Sequence, residues 1–273
     1  MPFIKFRNKN IFYKLEGKGN PVMLLHGFGE DGHIWNHQVE KLKKDFLVIV
    51  PDLPGCGQSE LLEGDCSLED YAEVIKMIAD SESITSKSYG TFSLIGHSMG
   101  GYITLAFAEK YGQLLNSFGL FHSSAFADNQ DKIATREKGI DFIEKNGAQL
   151  YAETTVPNLF SDQTKKNHPK LVKDLVEIAG KLPAETLIQY TRAMIKRRDT
   201  TAVLQSFSKP VLFIIGIHDN AVPLEASLKQ CHLSQIGCIH FLQHSGHVGM
   251  WEEKELSNQY LYSFLDYFVY SNK

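Results

Sequence analysis

The sequence predicts an α/β protein with a mostly parallel central sheet, helices on both faces and a helical insertion in its second half. Short apolar runs rich in β-branched and aromatic residues recur along the 273 residues, and helix-length amphipathic segments separate most of them. One stretch, 123–206, has no strand pattern, yet ~80 residues is far too long for a structureless loop in a compact domain.

The elements follow in order. "FIKF" and "IFYKL" read as two strands joined by a turn through Asn8 to Asn10. "PVMLL" from Pro21, "FLVIV" from Phe46, "TFSLI" from Thr91, "SFGLF" from Ser117, "PVLFII" from Pro210 and "GCIHFL" from Gly237 come next. These six are apolar throughout, as strands covered on both faces should be. Segment 67–81 carries Leu68, Tyr71, Ala72, Ile75 and Ile78 at helical spacing, with Ser67 as N-cap and Asp70 three residues on. Segment 256–268 repeats the pattern through Tyr260, Leu261, Phe264 and Leu265. Inside 123–206, one helical stripe is Leu171, Val172, Leu175, Val176 and Ala179; another is Leu187, Ile188, Thr191, Met194 and Ile195. Pro169 and Pro183 stand where a first-turn proline would start these two helices. The division is therefore a core of 1–122 and 207–273 with a helical cap, 123–206, packed over one edge of the sheet.

Composition excludes several classes. Hydrophobic residues at 43% and charged residues at 22% describe an ordinary globular chain able to bury a core. A net charge of −4 leaves no basic footprint for nucleic acid. No apolar run approaches the ~20 residues that cross a bilayer, so no membrane partner is expected. The opening "MPFIKFRNKN" lacks a signal-peptide core, and four cysteines are too sparse for a disulfide scaffold, which together point to a cytoplasmic protein. "CHLSQIGCIHFLQHSGH" gathers two cysteines and four histidines, but its cysteines lie seven apart and no His-Glu-x-x-His occurs. No metal or cofactor is expected.

The chemistry concentrates at "LIGHSMGGY". Ser98 lies in Gly-x-Ser-x-Gly, directly after an apolar strand and before "MGGYITLAFAEKYG", which is helical and apolar nearly all round. Strand, sharp turn and buried helix are the context of a nucleophile elbow. Gly96 and Gly100 remove side chains that would collide in the turn, and Gly101 permits close helix packing. A serine hydroxyl needs a base, and the base an acid to hold it. In this architecture they follow in the order acid, then histidine, each on a loop after a strand. "PVLFIIGIHDNAVP" supplies Asp219 and "CIHFLQHSGHVGMWEE" supplies His247; Asp128, after the preceding strand, is the alternative acid. Two backbone N–H groups should serve as oxyanion donors, Met99 after the serine and Phe28 in the "HGFG" loop.

"HGFG", "DLPGCGQS", "GHSMGG", "GIHDNAVP" and "GHVGMWEE" together resemble the α/β-hydrolase family, specifically its small capped esterases, lactonases and carbon–carbon hydrolases. The resemblance covers nearly the whole chain. It implies Ser98 as nucleophile, Asp219 as acid, His247 as base, Phe28 and Met99 as oxyanion donors, and a structural role for Asp52 and its glycines. Ser98 stands where dehalogenase relatives carry an aspartate, which argues against dehalogenation. The expected partner is a small-molecule ester or lactone cleaved through an acyl-enzyme; oligomeric state is left open. Cleavage of a carbon–carbon bond or an elimination on the same triad is the alternative, and a small-ligand receptor on this fold is the third. Arg192, Arg197 and Arg198 could clamp a substrate carboxylate, but beside Lys196 they read as a solvated helix face. Ser123 and Ser124 could line the pocket.

Overall fold

The first two runs form an antiparallel hairpin of β1 (Phe3–Phe6) and β2 (Lys9–Gly17) in the computed structural model, which describes residues 2–84 and 90–270. Its turn is tighter than the sequence suggests. Arg7 and Asn8 both take positive φ, 47° and 65°, the left-handed pair that a two-residue hairpin turn requires.

Six further strands continue the sheet: β3 (Asn20–Leu25), β4 (Phe46–Pro51), β5 (Phe92–His97), β6 (Leu115–Phe121), β7 (Val211–Gly216) and β8 (Gly237–Leu242). Among the described residues the sheet has eight strands in the order β1-β2-β4-β3-β5-β6-β7-β8, and every pairing from β4 onward is parallel. The register sets Leu25 beside Gly96 and Gly96 beside Leu120, so neighbouring strands end level along one edge. β3, β5, β6 and β7 are buried almost end to end, as their apolar sequences require. β8 departs from that expectation. It is an edge strand, and Ile239 on it is 41% exposed.

Helices cover both faces. α1 (Asn36–Leu42) packs on one, while α2 (Leu68–Ser81) and α3 (Met99–Tyr111) pack on the other. Ser67 and Asp70 close a reciprocal capping box at the start of α2, satisfying N–H groups that have no partner inside the helix.

Five helices lie between β6 and β7: α4 (Gln130–Thr155), α5 (Asp162–Asn167), α6 (Pro169–Gly180), α7 (Ala184–Ile195) and α8 (Thr201–Ser206). The two stripes read from sequence are α6 and α7. Pro169 is the first residue of α6 as expected, whereas Pro183 is the N-cap of α7, one position earlier than a first-turn proline. α4, with 26 residues, carries no clear stripe because it buries only Ile143, Ala148 and Ala152, and Gly147 at φ 80° breaks it into two helices. These helices rest on the loops at the carboxyl ends of the strands. Tyr190 donates to Pro54 O at 2.7 Å, Gln189 to Leu62 O at 3.0 Å and Thr186 to Gly55 O at 3.1 Å. α9 (Leu224–Cys231), α10 (Gly249–Glu252) and α11 (Lys254–Ser263) follow, α11 packing against α1, and a π-helical stretch, Phe264–Tyr270, ends the described residues. Among the described residues no helix is long and apolar enough to cross a membrane.

Candidate active site

Ser98 is the single residue between β5 and α3, and it carries the sharp turn at φ 50°, ψ −116°. Positive φ is costly for a residue with a Cβ, so the surroundings must enforce it. They do so by close approach. A Cβ on Gly96 would lie 2.2 Å from the Gly100 carbonyl, and one on Gly100 would lie 2.6 Å from His26 O. The turn is pinned by Ser98 N–H donating to Phe121 O at 3.0 Å, while the Ser98 carbonyl accepts from Gly101 N at 2.9 Å and Ser123 Oγ at 2.7 Å. Ser123 thus braces the elbow, and Ser124 Oγ accepts from Phe126 N at 3.2 Å. Both serines hold backbone, a local role that the pocket-lining expectation did not include.

Ser98 Oγ stands 2.8 Å from His247 Nε2, and His247 Nδ1 stands 2.7 Å from Asp219 Oδ2. The other carboxylate oxygen, Oδ1, accepts from Ala221 N and Val222 N, both at 2.8 Å. Burial alone would raise the Asp219 pKa; the His247 and His122 imidazoles outweigh it and hold the carboxyl well below its usual range. An ionised Asp219 fixes the proton of His247 on Nδ1 and leaves Nε2 as an acceptor for the serine hydroxyl. The His247 loop is braced in turn. Its N–H donates to Leu159 O at 2.6 Å, and Glu252 Oε1 accepts from Gly246 N at 2.9 Å and Val248 N at 3.2 Å.

Of the two backbone groups expected as oxyanion donors, Met99 directly follows this serine, and Phe28 lies in the loop after β3, where a Cβ on Gly27 would come 3.0 Å from the Ser98 Cβ. Met99 opens α3, so its N–H has no partner within the helix. Phe28 lies in a loop fastened on both sides. His26 Nε2 accepts from Leu53 N at 2.9 Å, and Gly27 N donates to Glu30 Oε2 at 2.7 Å. Asp52 Oδ1 accepts from Gly32 N at 2.9 Å and Oδ2 from Gln58 N at 2.8 Å, the turn-building role inferred for it.

Three charged or titratable groups were not singled out in the sequence. His122, at the end of β6, is fully buried with Nδ1 3.3 Å from Asp219 Oδ2, and burial pushes its pKa down to about 4. His97, immediately before Ser98, places Nδ1 2.9 Å from Glu30 Oε2 and Nε2 2.8 Å from the His247 carbonyl. Glu30 is the third. The available signal was position: His97 and His122 sit at strand ends on the same edge as Ser98.

The cap arginines separate. Arg192 is half exposed between Asp65 and Glu144, at 3.8 Å and 3.9 Å, and Arg198 is exposed and paired with Glu109. Arg197 contradicts the solvated-face reading. Its side chain is 6% exposed, lies over the Tyr102 ring at 3.9 Å and meets Asp128 Oδ1 at 3.0 Å. A guanidinium's flat, weakly hydrated face makes such burial tolerable. Asp128, which also binds Arg136 at 2.6 Å, is engaged there and not with His247. Cys238 meets only His240 within the Cys/His-rich stretch, at 3.3 Å. Among the described residues, the one group of three side chains within metal-ligating reach is His122, Asp219 and His247.

Residues 20–254 match the family model described as alpha/beta hydrolase fold. The chain belongs to this family. Two curated hydrolases resemble it over most of their length. The chain is 24% identical to the (E)-2-((N-methylformamido)methylene)succinate hydrolase of Acinetobacter baylyi over 95% of each chain. It is 26% identical to the pimeloyl-[acyl-carrier protein] methyl ester esterase of Nitrosomonas europaea, over 88% of this chain and 93% of that one. A thermophilic esterase from Thermogutta terrifontis, solved with malate bound, superposes with a TM-score of 0.90 at 28% identity, covering 96% of this chain and 94% of that chain. An α/β-hydrolase acting on small molecules is therefore the setting for the Ser98 site.

Proposed function

We propose that this α/β-hydrolase is a serine hydrolase that cleaves neutral carboxylic esters or lactones through an acyl-enzyme. The observation that carries the reading is the continuous line from Ser98 Oγ through His247 to the Asp219 carboxylate, at 2.8 Å and 2.7 Å. In it His247 removes the serine proton as Oγ attacks the carbonyl carbon, then returns that proton to the leaving alkoxide. Asp219 keeps the imidazole oriented and stabilises its charged form. The Phe28 and Met99 N–H groups receive the developing oxyanion, each worth ~3–4 kcal/mol in the transition state. Water then repeats the sequence on the acyl-enzyme.

Helices within 123–206 act in this reading as a cap. A cavity of about 110 Å³ lies between Phe28 and the cap, lined by Tyr151, Ala152, Val156, Leu159 and Leu187. Leu159 also accepts the His247 N–H, which ties this apolar space to the triad. An apolar chamber favours a neutral acyl group, because a buried carboxylate would need a paired cation. The esterase likeness of the Thermogutta enzyme supports ester cleavage. Arg192, the candidate clamp for an anionic diketone, faces Asp65 and Glu144 instead. We therefore rank ester cleavage above the carbon–carbon reaction.

A fluorophosphonate probe tests the nucleophile. One label per chain on Ser98, absent in Ser98→Ala, is expected, together with turnover of short p-nitrophenyl esters that falls by roughly 10⁶ in the variant. An unlabelled protein that hydrolyses none of these esters would return the site to the receptor reading.

A further inference from the structure

We propose that the buried Glu30–His97 pair is a charged latch, a positioning device that holds the Phe28 loop and the backbone of His247 in register over Ser98. This rests on the hydrolase reading above. His97 is fully buried and Glu30 is 2% exposed. His97 Nε2 lies 2.8 Å from the His247 carbonyl, a group that can only accept. Its Nδ1 lies 2.9 Å from Glu30 Oε2, which also accepts the Gly27 N–H at 2.7 Å. A neutral imidazole has one N–H and cannot donate to both oxygens. An imidazolium beside an ionised carboxylate satisfies all three contacts.

The electrostatics agree with the geometry. Burial would by itself lower the His97 pKa, but the Glu30 charge and hydrogen bond reverse this and raise it. Burial would raise the Glu30 pKa, and the His97 charge and hydrogen bond with the Gly27 N–H bring it below its usual range. The other titratable groups facing His97 are the His247 ring at 4.9 Å, the His122 ring at 6.0 Å and the Asp219 carboxylate. His122, driven down to about 4, stays neutral near neutral pH. One side chain thus joins three separate segments: the loop after β3, the end of β5 and the loop after β8. A buried ion pair is weak as a source of stability, but its charge-assisted bonds are short and directional. Loss of the His97 proton would leave a lone pair on Nδ1 facing a carboxylate, and the Phe28 loop would lose its tie to the end of β5.

Glu30→Gln removes the charge at nearly constant size. Both contacts fall on one oxygen, Oε2, so the amide can keep only one of them in place, accepting from the Gly27 N–H or donating to a neutral His97. Nitrogen-15 NMR of the wild-type imidazoles should show both His97 nitrogens protonated at about pH 8, where an unperturbed histidine is neutral. The wild-type kcat should fall on the alkaline side in step with deprotonation of His97. In Glu30→Gln that limb should vanish and kcat should drop about tenfold with KM little changed, the signature of a misplaced catalytic group. A neutral His97 at pH 8, a wild-type kcat that stays level while His97 deprotonates, or a variant matching the wild-type profile would each overturn the latch. The two wild-type measurements decide the matter even if the variant does not fold. Absence of probe labelling on wild-type Ser98 would remove the hydrolase reading and the positioning role together; a labelled enzyme with an unaffected variant removes only the latch.

Discussion

Single side chains around Ser98 divide into those the proposed reaction uses and those that set charge. Asp219 lies against His247 Nδ1 at 2.7 Å, and replacing its carboxylate by an amide would favour the wrong imidazole tautomer. Asp219→Asn should therefore lower kcat by about 10⁴ while leaving the circular dichroism spectrum unchanged; a loss below tenfold would place the acid elsewhere. His122 belongs to the second kind. Its folded-state pKa of about 4 lies below the ~6.5 of an unfolded histidine, so the unfolded chain takes up a proton that the folded one refuses. Its contribution is complete above about pH 6.5 and is lost as pH falls toward 4, about 3 kcal/mol in all. Urea titrations across that window should show the decline, and His122→Asn should flatten it by up to one proton. His97 has the opposite sign: with its folded pKa raised, its stabilisation is full below ~6.5 and lost as pH rises through the folded value.

At the scale of elements, the elbow was readable because its steric demand falls on residue types. Only glycine fits at position 96, where a Cβ would sit 2.2 Å from the Gly100 carbonyl carbon and oxygen, both backbone atoms that cannot turn aside. Gly96→Ala should abolish ester turnover and cost more than ~3 kcal/mol in urea unfolding, the range of severe overpacking. Turnover near the wild-type rate would show that the turn relaxes. β3 through β7 were legible for a similar reason: a strand covered on both faces must be apolar at nearly every position. β8 reads the same way in sequence, yet it is an edge, and sheet order is not a local property. α4 escaped notice because its buried positions are few and Gly147 resets the helical phase partway along.

For the whole molecule, the question is how the helices of 123–206 stay on the sheet edge. Arg197 links them to α3 by lying over the Tyr102 ring at 3.9 Å, and it is held in place within 123–206 by Asp128 at 3.0 Å and Phe126 O at 2.8 Å. Asp128 keeps its 2.6 Å pairing with Arg136, so Arg197→Ala should cost less in urea unfolding than the ~3–5 kcal/mol of a fully stranded buried charge. Arg192→Ala, half exposed and loosely paired, should cost under ~1 kcal/mol and leave ester turnover nearly unchanged. A panel pairing p-nitrophenyl esters with an anionic vinylogous diketone checks the substrate side. Rapid consumption of the diketone, abolished by Arg192→Ala and without ester turnover, would favour carbon–carbon cleavage.

By itself the sequence determined the alternation of strands and helices, the glycine-hemmed Ser98, and the order in which Asp219 and His247 follow it. Each of these is a local constraint: a turn that excludes side chains, or a strand that excludes polar ones. The tertiary structure alone decided which groups meet. Glu30 and His97 are 67 residues apart, and His97 reaches the His247 carbonyl across 150. Nothing near either residue in the chain marks it as ionised. Arg197 shares its charge run with Arg192 and Arg198, but only packing against Tyr102 and Asp128 removes it from water. The charge state and burial of a side chain depend on what folding brings beside it, and that partner is written elsewhere in the sequence.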